Sequence, residues 1–202
     1  LALSCRYGLE TYPLEAIFVS TFLVAIAEIG DKTQLLAIIL AARFRKPLPI
    51  IGGILVATIL NHGLAATAGF FLSRWLSGSM FQIAVGAAFL LMAGWALIPD
   101  KADDEIKSRG GLGVFLTTAV AFFFVEIGDK TQIATTLLAA RFQEIGLVTL
   151  GTTIGMMLAN VPAVYLGEAA VRVFPLKAIR IAAAILFALI GAWILADVFL
   201  KR

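Results

Sequence analysis

The chain has few of the residues that carry most soluble chemistry. Among 202 residues there is one cysteine, Cys5, and one histidine, His62. A lone cysteine cannot close an internal disulfide. Zinc and copper sites built from cysteine and histidine are disfavoured with it. Charge is scarce too, at 14% of residues against 61% hydrophobic. A soluble domain has about a quarter charged and about half apolar residues. The shortage therefore disfavours a soluble enzyme, a disordered tail and a nucleic-acid binder. A typical signal peptide is also missing, because Glu10 and Glu15 interrupt the early apolar run that follows Arg6.

Long uncharged runs take their place. Residues 47–73 carry no charge apart from His62, and 75–99 and 145–167 carry none. Each exceeds the roughly 18 apolar residues that suggest a membrane-spanning helix. The pattern predicts an all-α polytopic membrane protein with six helices, at 14–43, 48–73, 79–98, 112–141, 146–171 and 177–199. The first and fourth are long. At about 1.5 Å per residue each would reach roughly 45 Å, against a hydrocarbon core of about 30 Å. They must tilt, break or extend past the bilayer.

Residues 99–111 form a charged connector, with seven charges in the eleven positions 99–109. It separates a first three-helix unit, 14–98, from a second, 112–200. Residues 1–13 read as a tail. Basic residues set the orientation. Arg6, Arg74, Arg141, Lys201 and Arg202 fall on the side of the termini. Arg43, Arg45, Lys46, Lys101, Lys107, Arg109, Arg172, Lys177 and Arg180 fall on the other. The larger set predicts a cytoplasmic connector and termini outside. Trp75, Trp95 and Trp193 lie near helix ends, which suits interfacial anchoring or simple packing.

The strongest pattern is a duplication. Glu-Ile-Gly-Asp-Lys-Thr-Gln at 28–34 returns unchanged at 126–132, and Leu-Ala-Ala-Arg-Phe at 40–44 returns at 138–142. Further on, Gly52 matches Gly151 and Asn61 matches Asn160. A three-helix unit has been copied in tandem. An odd number of helices makes the second copy enter from the opposite side, so the repeats are predicted to be inverted. Secondary transporters use that arrangement, with the site near the midplane where the repeats meet. Glu28 and Glu126 fall at equal depth, midway along the first and fourth helices.

Carboxylates at that depth are costly, about 2.5–3.5 kcal/mol each by insertion scales. They should line a cavity and serve a purpose. Glu28 and Asp31 share a face of an intact helix, as do Glu126 and Asp129. These four are the candidate metal ligands. Oxygen donors of this kind suit Ca2+, Mn2+ or Mg2+. Gln34, Gln132, Asn61 and Asn160 are candidate amide ligands. Lys32, Lys130, Thr33 and Thr131 complete the motifs as secondary or gating residues. Four carboxylates and two lysines leave a net −2, which one divalent cation would neutralise. Protons could replace the cation when it leaves, a physical route to antiport.

Structural readings compete with this one. Glu28–Lys32 and Glu126–Lys130 are i, i+4 pairs that could neutralise each other. Asp31 with Gln34, and Asp129 with Gln132, resemble capping boxes that restart a helix after a break at Gly30 or Gly128. His62 faces Val161 in the repeat register, so a hydrogen-bonded packing role fits it better than a proton relay. Arg43 and Arg141 read as helix-end anchors, and Glu168 as a surface residue. Gly52, Gly53, Gly86, Gly94, Gly151, Gly155 and Gly191 would permit close helix contact.

The twin Glu-x-Gly-Asp-(Lys/Arg)-(Thr/Ser) motif resembles that of the calcium/manganese–proton antiporters, a family with Golgi, chloroplast and bacterial members. The likeness covers about residues 14–200. Both copies match in full, at Glu28, Gly30, Asp31, Lys32 and Thr33, and at Glu126, Gly128, Asp129, Lys130 and Thr131. The resemblance implies export of Mn2+ or Ca2+ from the cytoplasm in exchange for protons. The similar bacterial proteins export manganese, which implies a bacterial inner-membrane location. No cofactor is expected beyond the transported ions, and the expected partners are those divalent ions and the lipid bilayer, not nucleic acid. A passive cation channel using the same carboxylates is the alternative. An enzyme is disfavoured, because no nucleophile–base pair appears.

Overall fold

A computed structural model describes residues 13–76, 78–98, 113–167 and 176–200. Residues 1–12 of the tail, the charged connector, Arg172 and Glu168 lie outside these, whereas Pro13, expected in the tail, opens the first helix. Eight helices are present and no strand occurs among the described residues: α1 (Pro13–Glu28), α2 (Lys32–Phe44), α3 (Pro47–Trp75), α4 (Ser79–Ala96), α5 (Val114–Glu126), α6 (Lys130–Phe142), α7 (Ile145–Leu166) and α8 (Leu176–Leu200).

The two long helices predicted at 14–43 and 112–141 are each broken. The break comes from the motif itself. Gly30 and Gly128 take φ of +81° and +75°, a left-handed conformation open to glycine at little cost. Asp31 and Asp129 then cap the next helix in extended conformation. Asp31 accepts from the Lys32 amide, and Asp129 accepts from the amide of Thr131 and, at 3.1 Å, from its hydroxyl. The capping-box reading is nearly what forms. Gln34 and Gln132 reach back one residue further than the motif requires, to the amides of Gly30 (2.8 Å) and Gly128 (2.7 Å).

α2 and α6 also end alike. Arg45 and Gln143, at equivalent positions, are left-handed, and each amide returns to the carbonyl four residues back at 2.9 Å. A side chain is strained there. Gln143→Gly is expected to raise stability by about 0.5–1 kcal/mol, once the extra freedom of unfolded glycine is subtracted. Thermal unfolding in detergent would measure it, and an unchanged or lower midpoint would refute the strain argument.

By length and composition α3, α4, α7 and α8 can each cross a membrane. The bent pair α1–α2, with 67° between its arms, would count as a fifth span. α5 has 13 residues, too few to cross alone. The main packing partners interleave the two halves of the chain: α1 lies on α7, α3 on α5 and α6, and α4 on α8. Small residues set the separation. A Cβ at Gly155 would stand 2.6 Å from the Thr21 carbonyl, and one at Gly53 would stand 2.7 Å from the Phe115 carbonyl. Gly86, Gly151 and Gly191 are similarly crowded, whereas Gly52 makes ordinary contact. Gly94 does not match the expectation: a Cβ there meets no described atom within 4 Å. The tightest position is one the sequence reading passed over. At Gly69 a Cβ would overlap the backbone carbonyl of Thr136 on α6.

Candidate metal centre

Breaking α1 at Glu28 and α5 at Glu126 places both glutamates at helix C-termini, with the aspartates opening the next helices. All four carboxylates are buried. Those of Glu28, Asp31 and Asp129 converge, each offering an oxygen within 4.8 Å of the others'. Glu126 stands outside that group. Its oxygens accept from Asn61 Nδ2 at 2.9 Å and Thr58 Oγ1 at 3.2 Å. The motif is duplicated, yet its two copies are not placed alike. The continuous helix face that was predicted to pair Glu28 with Asp31 does not exist, since the chain turns between them.

The asparagines are exchanged between halves. Asn61 on α3 holds Glu126, and Asn160 on α7 donates to Glu28 Oε1 at 3.2 Å. The glutamines sit behind them. Gln34 Nε2 donates to the Ala159 carbonyl (3.0 Å), and Gln132 Nε2 donates to Asn61 Oδ1 (3.4 Å). Their own side-chain oxygens accept from Gly30 and Gly128, so here both glutamines serve the helix breaks. Lys32 crosses to Asp129, Nζ to Oδ1 at 3.2 Å. The intrahelical i, i+4 arrangement with Glu28 is lost because the helix breaks between the two residues. Lys130 donates to the Ile98 carbonyl (3.0 Å) and lies over the Trp95 ring. Thr33 and Thr131 are both fully buried.

Two acceptors in this cluster are left over. Glu28 Oε2 and Asn160 Oδ1 are buried and have no hydrogen-bond partner among the described residues. Neither atom has a proton to give when the carboxylate is ionised. Buried acceptors of this kind are rare unless an ion or water answers them. With Asp31 and Asp129 they make an all-oxygen set, suited to a hard divalent cation and poorly suited to zinc or copper.

One of the flanking expectations changes, while Arg43 and Arg141 do lie in the last turns of α2 and α6. His62 is fully buried, but neither ring nitrogen has a hydrogen-bond partner among the described residues, so the hydrogen-bonded packing role is not seen. Arg141 pairs with Asp197 at 3.6 Å and lies over Trp193, whereas Arg43 stays exposed beside Phe44. Thr58 and Met156 were missed. Thr58 stands one helical turn before Asn61, and Met156 one turn before Asn160, so a search of that face around each asparagine would have found them.

The pattern of the family described as divalent cation/proton antiporter GDT1 matches residues 16–104 and again 114–202. The chain belongs to this family. The GDT1 family is one of membrane transporters, in keeping with the apolar helices, and its twofold match coincides with the two motif copies. A Vibrio cholerae serotype O1 protein named "Putative manganese exporter" is 48% identical over 179 residues, 88% of this chain and 89% of its own length. An Arabidopsis thaliana "GDT1-like protein 3" is 29% identical over 167 residues, 70% of this chain and 57% of its own. This GDT1 chain thus spans a little over half of that plant relative. No solved structure matches it.

Proposed function

We propose that this antiporter exports divalent cations from the cytoplasm, Mn2+ before Ca2+, in exchange for protons, by alternating access at a midplane carboxylate site. Glu28, Asp31 and Asp129 hold the ion in the conformation described, and Glu126 waits on Asn61 and Thr58. The observation that carries this reading is the buried, convergent carboxylate trio beside two acceptors that lack donors. The Vibrio cholerae relative's name favours manganese. Six spans as two inverted three-helix repeats fit the proposal, with α1–α2 and α5–α6 as broken spans. Broken helices are the usual means by which transporters present backbone and carboxylate oxygens to an ion at mid-depth. The count of basic residues supports an inner-membrane orientation with termini outside and the connector in the cytoplasm.

The test is uphill flux. Proteoliposomes holding the full chain should accumulate Mn2+ against its gradient when a pH gradient is imposed, and lose that ability when an ionophore collapses it. Flux that follows only the metal gradient would instead identify a passive channel.

A further inference from the structure

The amide that donates to Glu28 also touches a sulfur. Met156 lies on α7, fully buried, one helical turn before Asn160. Asn160 Nδ2 stands 3.0 Å from Met156 Sδ, 3.1 Å from the Met156 carbonyl and 3.2 Å from Glu28 Oε1. One amide nitrogen thus sits between the thioether and the carboxylate. Its two protons serve three acceptors, while Asn160 Oδ1 has no partner among the described residues. A half-turn of the amide exchanges these two atoms. Glu28 Oε1, Asn160 Oδ1 and Met156 Sδ would then form one acceptor face beside the carboxylates of Asp31 and Asp129. The matching position in the first half is Ala57, which has no ligand atom to offer.

We propose that Met156 supplies a thioether ligand to the cation held at Glu28, Asp31 and Asp129, and that this sulfur tilts selection towards Mn2+ and away from Ca2+ and Mg2+. The proposal rests on the carboxylate site of the preceding section. Its chemistry is one of softness. Ca2+ and Mg2+ bind through oxygen and lose a ligand wherever sulfur replaces it. Thioethers suit softer metals, and Mn2+, although oxygen is its usual partner, is the softest of these three ions and loses least by the exchange. An all-oxygen pocket would have to separate Mn2+ from Ca2+ by size and coordination number alone. Methionine is a poor choice for rigid packing but a good one for a ligand that must engage and release, because its unbranched side chain turns about three bonds.

The bland alternative is that Met156 only fills space. Met156→Leu conserves volume and removes the sulfur. Mn2+ and Ca2+ should be competed for flux in proteoliposomes with the full chain. If the sulfur binds the ion, the leucine variant lowers the Mn2+ to Ca2+ preference about tenfold, the usual scale for losing a contact that tunes a metal site. Ca2+ flux itself is retained. An unchanged preference in a transporting variant overturns the proposal. A second readout needs no transport. Cd2+, a soft ion close to Ca2+ in size, is loaded into the detergent-solubilised chain in a Cys5→Ser background, and its X-ray absorption is recorded. A sulfur neighbour in that protein, lost in Met156→Leu, supports the assignment. A shell of oxygen alone overturns it, and so does a sulfur that persists in the leucine variant. Should the leucine variant fail to fold, Met156→Ile, which also removes the sulfur at similar volume, takes its place in both measurements. Failure of the site itself looks different: Glu28→Gln and Asp129→Asn would then bind Cd2+ as tightly as the parent, whatever its neighbours.

Discussion

Glu28→Gln is expected to cut Mn2+ flux through the reconstituted chain by more than about a hundredfold while the protein still folds. The substitution keeps the shape and the acceptor for Asn160 Nδ2, and removes one negative charge. At about 4 Å and an effective dielectric of about 20, one unit charge attracts another by about 4 kcal/mol. A divalent ion loses more than that, and the amide oxygen of glutamine returns only part. Since about 1.4 kcal/mol is a factor of ten in affinity, two decades is a cautious expectation. Radioactive Mn2+ uptake gives the flux, and thermal unfolding in detergent checks the fold. Parental flux in a folded Glu28→Gln protein would remove Glu28 from the site. Glu126→Gln makes a useful comparison. Glu126 lies outside the carboxylate trio and already holds two donors, so its loss should weaken static binding less than it weakens turnover.

The second large effect concerns the fold. Gly69→Val should destabilise the protein by about 3 kcal/mol or more, at the upper end of overpacking costs. The obstruction is the backbone carbonyl of Thr136, which cannot rotate away as a side chain would. α3 would have to part from α6, and α6 carries Asp129 at its start. The measurement is the monodisperse yield and unfolding midpoint in detergent. Gly94→Ala is the control, expected to leave stability unchanged or raise it by up to about 1 kcal/mol, because its Cβ would enter open space and alanine favours the helix. Equal behaviour of the two variants would argue against close α3–α6 packing.

The motifs were legible in the sequence because an exact repeat of seven residues needs no geometry to be noticed. The all-helical, apolar character followed from composition and run length. Other features depend on conformation. Gly30 and Gly128 read as places where a long helix could break and restart, beside the alternative of a continuous helix, and only their positive φ decides between the two. Symmetry of sequence also suggested four equivalent carboxylates. A single conformation need not honour it: Glu28 joins the trio while Glu126 turns to Asn61 and Thr58. Gln34 and Gln132 were candidate ligands because their chemistry allows it, yet the backbone amides of Gly30 and Gly128, left over at the helix breaks, compete for the same oxygens. Met156 escaped because its carbon chain counts as hydrophobic. Its sulfur matters only once Asn160 is seen beside Glu28.

The exchange of asparagines has a consequence for how such a chain can arise and assemble. Each half makes a glutamate whose amide partner is encoded in the other half. Residues 13–98 translated alone would bury Glu28 without Asn160, and residues 113–200 would bury Glu126 without Asn61. Neither fragment is a finished protein. Two separate fragments, made together in one cell, would each complete the other. A single-unit ancestor could have worked only as a pair of copies, each lending its asparagine to its neighbour, before duplication joined them in one reading frame.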